Sequence, residues 1–172
     1  QNPEFFINVN VSAKQLERPD FCRVVLELLD KTEFPVKHLC LEITERCRSL
    51  PVSVINERMA VLRGYGIKFA MDDFGTGSSS SAMALEMLID EIKIDMSFIR
   101  KILVNKKNKA IVQSMVDFAN AANIKSCLEG VENEALEDYL RTVGATWFQG
   151  YYYSKPVGAD ELEILLSNSW NK

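Results

Sequence analysis

Short extended patterns alternate with longer helical patterns along the whole chain. At 5–11, aromatic and β-branched residues alternate with polar ones, which is typical of a strand. After Pro19, apolar residues recur at helical spacing from Phe21 to Leu29, and Asp20 stands in the N-cap position. Further strands are predicted at 39–44, 67–71, 91–95, 124–128 and 146–148. Further helices are predicted near 52–63, 82–88, 134–142, from 108 and from 160.

Six strands separated by helices indicate a parallel α/β architecture. A doubly wound sheet and a (β/α)8 barrel both fit this order, and periodicity does not choose between them. A closed barrel needs eight strands and typically about 250 residues, so a barrel would be represented by about six βα units. We find no internal repeat or interdomain linker in the sequence, which predicts one domain.

Composition limits the classes of function. The 172 residues are 47% hydrophobic and 26% charged, with a net charge of −4, which excludes a disordered chain. No apolar run approaches the roughly 20 residues of a membrane helix, and the acidic balance argues against duplex nucleic acid as a partner. The four cysteines lack C-x-x-C spacing, which predicts reduced thiols and a cytoplasmic location. With one histidine, His38, in a polar stretch, histidine chemistry is close to excluded.

Every predicted strand carries a polar residue at or near its carboxyl end. These residues are Asn10, Glu42, Asp72 with Asp73, Lys93, Glu129 and Gln149. Parallel strands are covered on both faces, so a carboxylate there must be paired or metal-bound. The carboxyl ends of the strands also carry the active sites of α/β barrels. For any one of these residues, a role in a cap or a turn explains its presence as well as a functional role does. Six strands in succession that end in a polar residue favour a functional site.

The charges of this set predict a cation site. Four carboxylates accompany a single ammonium group, that of Lys93, and carboxylates about 4 Å apart repel by several kcal/mol at intermediate dielectric. All candidate ligands are oxygen donors, which favours Mg²⁺ or Mn²⁺ over zinc. The adjacent Asp72 and Asp73 could serve two ions, and two-metal sites typically hydrolyse phosphate esters. Lys93, with Asp95 on the same strand face, either neutralises the carboxylates or orients the attacking water.

A glycine- and serine-rich segment, D-D-F-G-T-G-S-S-S-S, occupies 72–81. It lacks the lysine of a Walker A loop, which argues against a P-loop. Two interpretations stay open for it: a flexible connection, or a mobile lid that orders around metal and ligand.

Six motifs in order resemble the EAL-domain family of cyclic di-GMP phosphodiesterases. They are N-V-S (10–12), L-E-I-T-E (41–45), D-D-F-G-T-G (72–77), K-I-D-x-S-F-I (93–99), E-G-V-E (129–132) and Q-G-Y-Y-Y-S-K-P (149–156). The resemblance covers nearly the whole chain. It implies an α/β fold of the (β/α)8, TIM-barrel-like type, truncated at its N-terminus. Residues 1–172 would then be a partial EAL domain with no second domain.

The resemblance also implies a reaction and its metals. Such enzymes hydrolyse cyclic di-GMP to linear pGpG with two Mg²⁺ or Mn²⁺ ions, and Ca²⁺ inhibits them. By position, Asn10, Glu42 and Asp72 would bind the first ion. Asp73 would bind the second, with Asp72 bridging the two. Glu129 would bind the second ion or act as a general base.

Further roles follow from the same resemblance. Lys93 would contact the attacking water or the scissile phosphate, and Asp95 and Gln149 would support the site. Glu45 would stabilise the loop after the paired aspartates. Phe74, Gly75, Thr76 and Gly77 would likewise stabilise that loop.

The sequence departs from the family in ways that keep alternatives open. The family's E-A-L signature supplies a further metal ligand on a strand before the N-x-S strand, so we expect it N-terminal to Gln1 rather than within these 172 residues. Ser78 and Ser81 also replace residues that are usually aromatic and Leu. The leading hypothesis is a truncated phosphodiesterase domain. The second is a non-catalytic cyclic di-GMP receptor or protein-interaction module, and the third is an enolase-like barrel with Lys93 as base.

The same resemblance also bears on which partners the protein has. The retained acidic residues and Lys93 favour the enzyme over the receptor, because a receptor does not need a second metal. We expect a sensory or GGDEF-type domain upstream and no membrane insertion by this segment. A homodimer is left open, because no self-complementary surface is evident in the sequence.

Overall fold

The computed structural model describes residues 5–44, 50–77 and 80–167. Strands and helices alternate along them, as predicted. The strands are β1 (Ile7–Val11), β2 (Leu39–Thr44), β3 (Lys68–Phe74), β4 (Glu91–Ile94), β5 (Lys125–Glu129) and β6 (Trp147–Gln149). The helices are α1 (Ala13–Glu17), α2 (Phe21–Thr32), α3 (Val52–Gly64), α4 (Ser80–Glu86), α5 (Met96–Ile99), α6 (Lys106–Ala121), α7 (Glu134–Arg141) and α8 (Ala159–Ser167). A short 3₁₀ helix at Val36–His38 precedes β2.

The strands form one parallel sheet in the order β1-β2-β3-β4-β5-β6. Each strand pairs with the next strand along the chain; Asn10 lies opposite Glu42, and Glu129 opposite Gln149. A doubly wound sheet requires a reversal of strand order at a switch point. This sheet has none, so the barrel-type alternative is the one that the structure confirms.

The sheet curls into a half-barrel. In a flat sheet, five spacings of about 4.8 Å would separate β1 from β6 by roughly 24 Å. The rings of Phe6, just before β1, and Trp147, at the start of β6, are instead 6.1 Å apart between centroids. The six strands therefore bring their carboxyl ends around a common centre.

Helices cover the outer face of the curled sheet. Residues Ile55, Met59 and Leu62 of α3 are fully buried, at the spacing expected for one helical face. On α6 the fully buried face consists of Val112, Val116 and Ala119. Every residue of β2 except the last is buried, as expected for a strand covered on both sides.

Two short helices are absent from the sequence-based prediction. Helix α1 starts with a capping box, in which Ser12 and Gln15 each bond the other's backbone amide. Helix α5 begins at Asp95, whose carboxylate accepts from Ser97 N at 2.9 Å. Asp20 does precede α2, but its side chain pairs with Arg18 and Arg23 and makes no capping hydrogen bond. Within the described residues, none of the helices is long and apolar enough to cross a membrane.

Candidate active site at the carboxyl ends of the strands

Lys93 lies at the centre of a buried network of carboxylates. Its Nζ is 2.8 Å from Glu42 Oε1 on β2 and 2.8 Å from Glu129 Oε1 on β5. A longer contact of 3.7 Å reaches Asp72 Oδ1 on β3. Only about 5% of the Lys93 side chain is exposed. One ammonium group on β4 thus connects the acidic residues of three other strands.

Asn8 also binds this network, although the sequence analysis assigned it no role. Its Nδ2 donates to Glu42 Oε1 at 2.6 Å. Asn8 stands two residues before Asn10 on the same face of β1, because side chains alternate along a strand. The signal that could have found it is this spacing, which places two amides on the inward face of a strand next to Glu42.

Burial and ion pairing act in opposite directions on the charged groups. Burial by itself lowers the pKa of Lys93, but its hydrogen bonds to Glu129 and Glu42 outweigh burial and raise that pKa. Burial raises the pKa of Glu129, and the bond from Lys93 partly counteracts this. Lys93 is therefore held as a cation at neutral pH and cannot serve as a proton acceptor there.

The paired aspartates lie where the sheet becomes irregular. The register between β3 and β4 shifts between Met71 and Phe74, and Asp73 has a left-handed backbone with φ of 56°. In a regular strand, Asp72 and Asp73 would point to opposite faces. A bulge at a site re-aims side chains, which removes that constraint. Both residues are half-buried.

The loop after the aspartates is anchored in the core. Phe74 is buried and stacks on Phe118 of α6, with ring centroids 6.0 Å apart. Gly75 has φ of 95°, a left-handed conformation that favours glycine. Thr76 binds the Asp73 carbonyl through its backbone N–H and its hydroxyl. Gly77 ends the described part of this loop.

The remaining predicted residues occupy different positions. Asn10 is exposed at the end of β1, opposite Glu42 in the sheet. Gln149 is exposed at the end of β6, and its carbonyl accepts from Val131 N. Asp95 caps α5 after β4 has ended, so its recorded contact lies outside the Lys93 network. Glu45 lies outside the described residues, as do Cys47 and Ser78.

The letters E-A-L do occur in the chain, contrary to the expectation that the 172 residues lack them. They stand at 134–136, in the first turn of α7. Glu134 and Ala135 are exposed, and Leu136 is buried in the core. Because this tripeptide starts a helix after β5 rather than forming a strand before β1, it is not the family's metal-binding signature.

The donor set suits a divalent cation in type and charge. Three carboxylates surround Lys93, which leaves an excess of two negative charges when all are ionised. Their oxygens are the ligands that Mg²⁺ and Mn²⁺ prefer. Among the described residues, however, no three His, Cys, Asp or Glu side chains stand in an arrangement that holds a metal by themselves. The fit is therefore one of ligand type and charge, with Lys93 between the carboxylates.

Comparisons with known proteins show which proteins this chain resembles. The chain is 35% identical over 167 residues to "Probable cyclic di-GMP phosphodiesterase PdeG" of Escherichia coli, covering 95% of this chain and 32% of the relative. It resembles the EAL domain of Mycobacterium smegmatis DcpA with a TM-score of 0.90 and 31% identity, covering 95% of this chain and 73% of that one.

A second solved structure carries ligands. The manganese and cyclic di-GMP complex of Klebsiella pneumoniae BlrP1 matches with a TM-score of 0.80 and 28% identity, over 88% of this chain and 39% of that one. The chain spans a quarter to a third of the first curated relatives it matches. The family model for the EAL domain matches residues 1–156. By this match, and by six parallel strands curled as in the solved EAL structures, the chain belongs to the EAL domain family.

Proposed function

We propose that the protein carrying this chain hydrolyses cyclic di-GMP to linear pGpG, using two Mg²⁺ or Mn²⁺ ions, with residues 1–172 forming part of one EAL domain. The observation that carries this proposal is the network of Lys93 with Glu42, Asp72 and Glu129 at the carboxyl ends of the strands. A similar protein binds manganese and cyclic di-GMP, which supports both the substrate class and the metal.

The proposed roles follow the positions of the side chains. The ligands of the ions would be Asn10, Glu42, Asp72, Asp73 and Glu129. When bound, such ions stabilise negative charge on phosphate oxygens and lower the pKa of an attacking water. Water attacks phosphorus, the bond from phosphorus to the ribose 3′ oxygen breaks, and that oxygen leaves with a proton. The product is linear because only one of the two phosphodiesters is cleaved.

Lys93 and Glu129 are the two side chains to which we assign catalytic roles. Lys93 is a cation at neutral pH, so we assign it the orientation of water and the stabilisation of phosphate charge rather than base chemistry. This also argues against the enolase-like alternative, which needs a neutral lysine. Glu129 is half-buried with a raised pKa, which suits a group that accepts a proton from water.

A cyclic di-GMP receptor is the second candidate. It is favoured by the ion pairing of Lys93, which already neutralises part of the acidic cluster, and by the lack of a preformed metal cluster in the described residues. A receptor needs contacts to the dinucleotide but no positioned water. The compartment we propose is the cytoplasm, because Cys22, Cys40 and Cys127 are free thiols.

The deciding experiment measures turnover and binding together in the full-length protein. We expect Mg²⁺ or Mn²⁺ to support formation of pGpG, and Ca²⁺ to support binding without turnover. Glu129→Ala should lower kcat by at least about 10²-fold, as is typical for a positioned acid–base group, while ligand affinity falls much less. Lys93→Ala should behave similarly.

A matched control is Asp138→Ala, which removes an exposed carboxylate of α7 that lies outside the six motifs. It should leave kcat unchanged. Tight binding of cyclic di-GMP by the wild-type protein without hydrolysis in Mg²⁺ or Mn²⁺ would establish the receptor instead.

A further inference from the structure

Asn8 makes a charge-assisted hydrogen bond to the most buried carboxylate of the site. Its Nδ2 lies 2.6 Å from Glu42 Oε1, across the pair of strands β1 and β2. Only about 6% of the Glu42 side chain is exposed, so few water molecules can replace this donor. Hydrogen bonds to ionised groups are about twice as strong as neutral ones. Asn8 therefore has a strong influence on how the Glu42 carboxylate is oriented.

The same oxygen of Glu42 receives a second donor. Lys93 Nζ also reaches Oε1, at 2.8 Å. Both of these contacts are made by Oε1 of the Glu42 carboxylate. With Asn8 on one strand and Lys93 on another, the carboxylate is fixed from two sides.

Asn8 itself is not suited to bind the ion. It pairs with Cys40 in the sheet, one pleat before the level of Asn10 and Glu42, and so lies beneath the strand ends. Its Oδ1 is buried and has no hydrogen-bond partner in the part of the chain that the structure describes. An unpaired buried acceptor lowers stability, so stability alone does not explain an asparagine here.

We propose that Asn8 is a positioning residue that, together with Lys93, holds the Glu42 carboxylate in the orientation in which it would serve as a ligand of a divalent cation. This inference rests on the cation site of the proposed function. Residues that orient metal ligands in this way typically contribute about 10–100-fold to metal affinity.

The test measures Mn²⁺ affinity by calorimetry in the full-length protein, without substrate. We expect Asn8→Ala and Asn8→Leu both to weaken Mn²⁺ binding about tenfold. Leu has the same number of side-chain heavy atoms as Asn, branched in the same way, but no donor, so it separates the hydrogen bond from simple filling of space. Asp72→Asn, which alters an assigned ligand, serves as the positive control.

The matched control is Asn108→Ala. Asn108 also donates a half-buried amide bond, to the Phe98 carbonyl at 2.7 Å, but far along the chain from Glu42. Loss of the Asn108 hydrogen bond should lower the melting temperature and leave Mn²⁺ affinity unchanged. Wild-type Mn²⁺ affinity in Asn8→Leu would overturn the inference by showing that Asn8 only fills space.

The outcome is separable from that of the proposed function. If the wild-type protein binds Mn²⁺ and the Asn8 variants bind it weakly, the inference stands even when no hydrolysis is detected. If hydrolysis proceeds and the Asn8 variants bind Mn²⁺ normally, the inference is wrong and the function stands. If the wild-type protein binds no Mn²⁺, both are wrong.

Discussion

Lys93 is almost fully buried, and its charge is tolerated because carboxylates surround it. Glu42 and Glu129 each lie 2.8 Å from its Nζ. A buried charge that loses its partner typically costs about 3–5 kcal/mol, so each member of the network depends on the others. The arrangement keeps the acidic residues together and keeps Lys93 protonated.

Glu91 is a second buried carboxylate, at the other end of β4. Only 5% of it is exposed, and burial raises its pKa to about 7, although Lys93 opposes the shift. At pH values between 4.5, the ordinary pKa of a glutamate, and about 7, the folded chain keeps a proton on Glu91 and the unfolded chain does not. Stability from this group is therefore full below about pH 4.5 and is lost as the pH rises through about 7.

We therefore expect Glu91→Gln to be more stable than wild type at pH 8, by up to about 3 kcal/mol, and close to wild type at pH 4. The measurement is chemical denaturation across this pH range. Glu57→Gln, which changes an exposed glutamate of α3, should give no such pH-dependent difference. A difference between Glu91→Gln and wild type that is independent of pH would show that folding does not shift the pKa of Glu91.

The loops that follow β5 and β6 are bound to each other. Val131 N donates to the Gln149 carbonyl, and Tyr152 N donates to the Val131 carbonyl, both at 3.0 Å. Gly150 fits between them, since a Cβ there would lie 2.1 Å from the Val131 carbonyl oxygen. The segment that carries Glu129 is thus positioned by backbone contacts with the end of β6.

Gly150→Ala should therefore destabilise the fold by about 1–3 kcal/mol, as overpacking does. It should also lower kcat through displacement of Glu129. Gly64→Ala is the matched control, because nothing lies within 4 Å of its Cβ position in α3. That change should be neutral or stabilise by up to about 1 kcal/mol. Equal melting temperatures for the two variants would contradict the proposed packing of Gly150.

At the scale of the whole molecule, the described residues include two outer strands and two exposed apolar surfaces. Among the residues that the structure describes, β1 and β6 each pair with one neighbour only. Beside β1, an apolar groove of about 470 Å³ is lined by residues that include Val9, Leu28 and Phe34. On α8 no residue is buried, although Ile164 and Leu166 are apolar. Open edges and apolar surface together favour association.

We expect the isolated 172-residue chain to oligomerise or precipitate. Val9→Lys, which places a charge in the groove beside the open edge, should shift it toward the monomer in analytical ultracentrifugation. Leu85→Lys, at an exposed position on α4, should have little effect. A stable wild-type monomer with a cooperative melt would show that these surfaces do not associate.

The sequence by itself determined the order and type of most elements and which polar residues end the strands. These features depend on neighbouring residues. The prediction of β2 at 39–44 is confirmed, because its apolar residues Leu39, Cys40, Leu41 and Ile43 are interrupted only by Glu42. Short helices such as α1 and α5 were missed, since their starts depend on single caps rather than on apolar periodicity.

Only the tertiary structure decided how these residues meet. No local sequence pattern encodes the curvature of the sheet. This curvature distinguishes the half-barrel from a doubly wound sheet, and it brings Lys93 between Glu42 and Glu129. The end of β4 at Ile94 placed Asp95 on a helix cap instead of beside Lys93. The contact of Asn8 with Glu42 joins residues 34 positions apart, and such contacts arise from sheet register, which is set by packing of the whole fold.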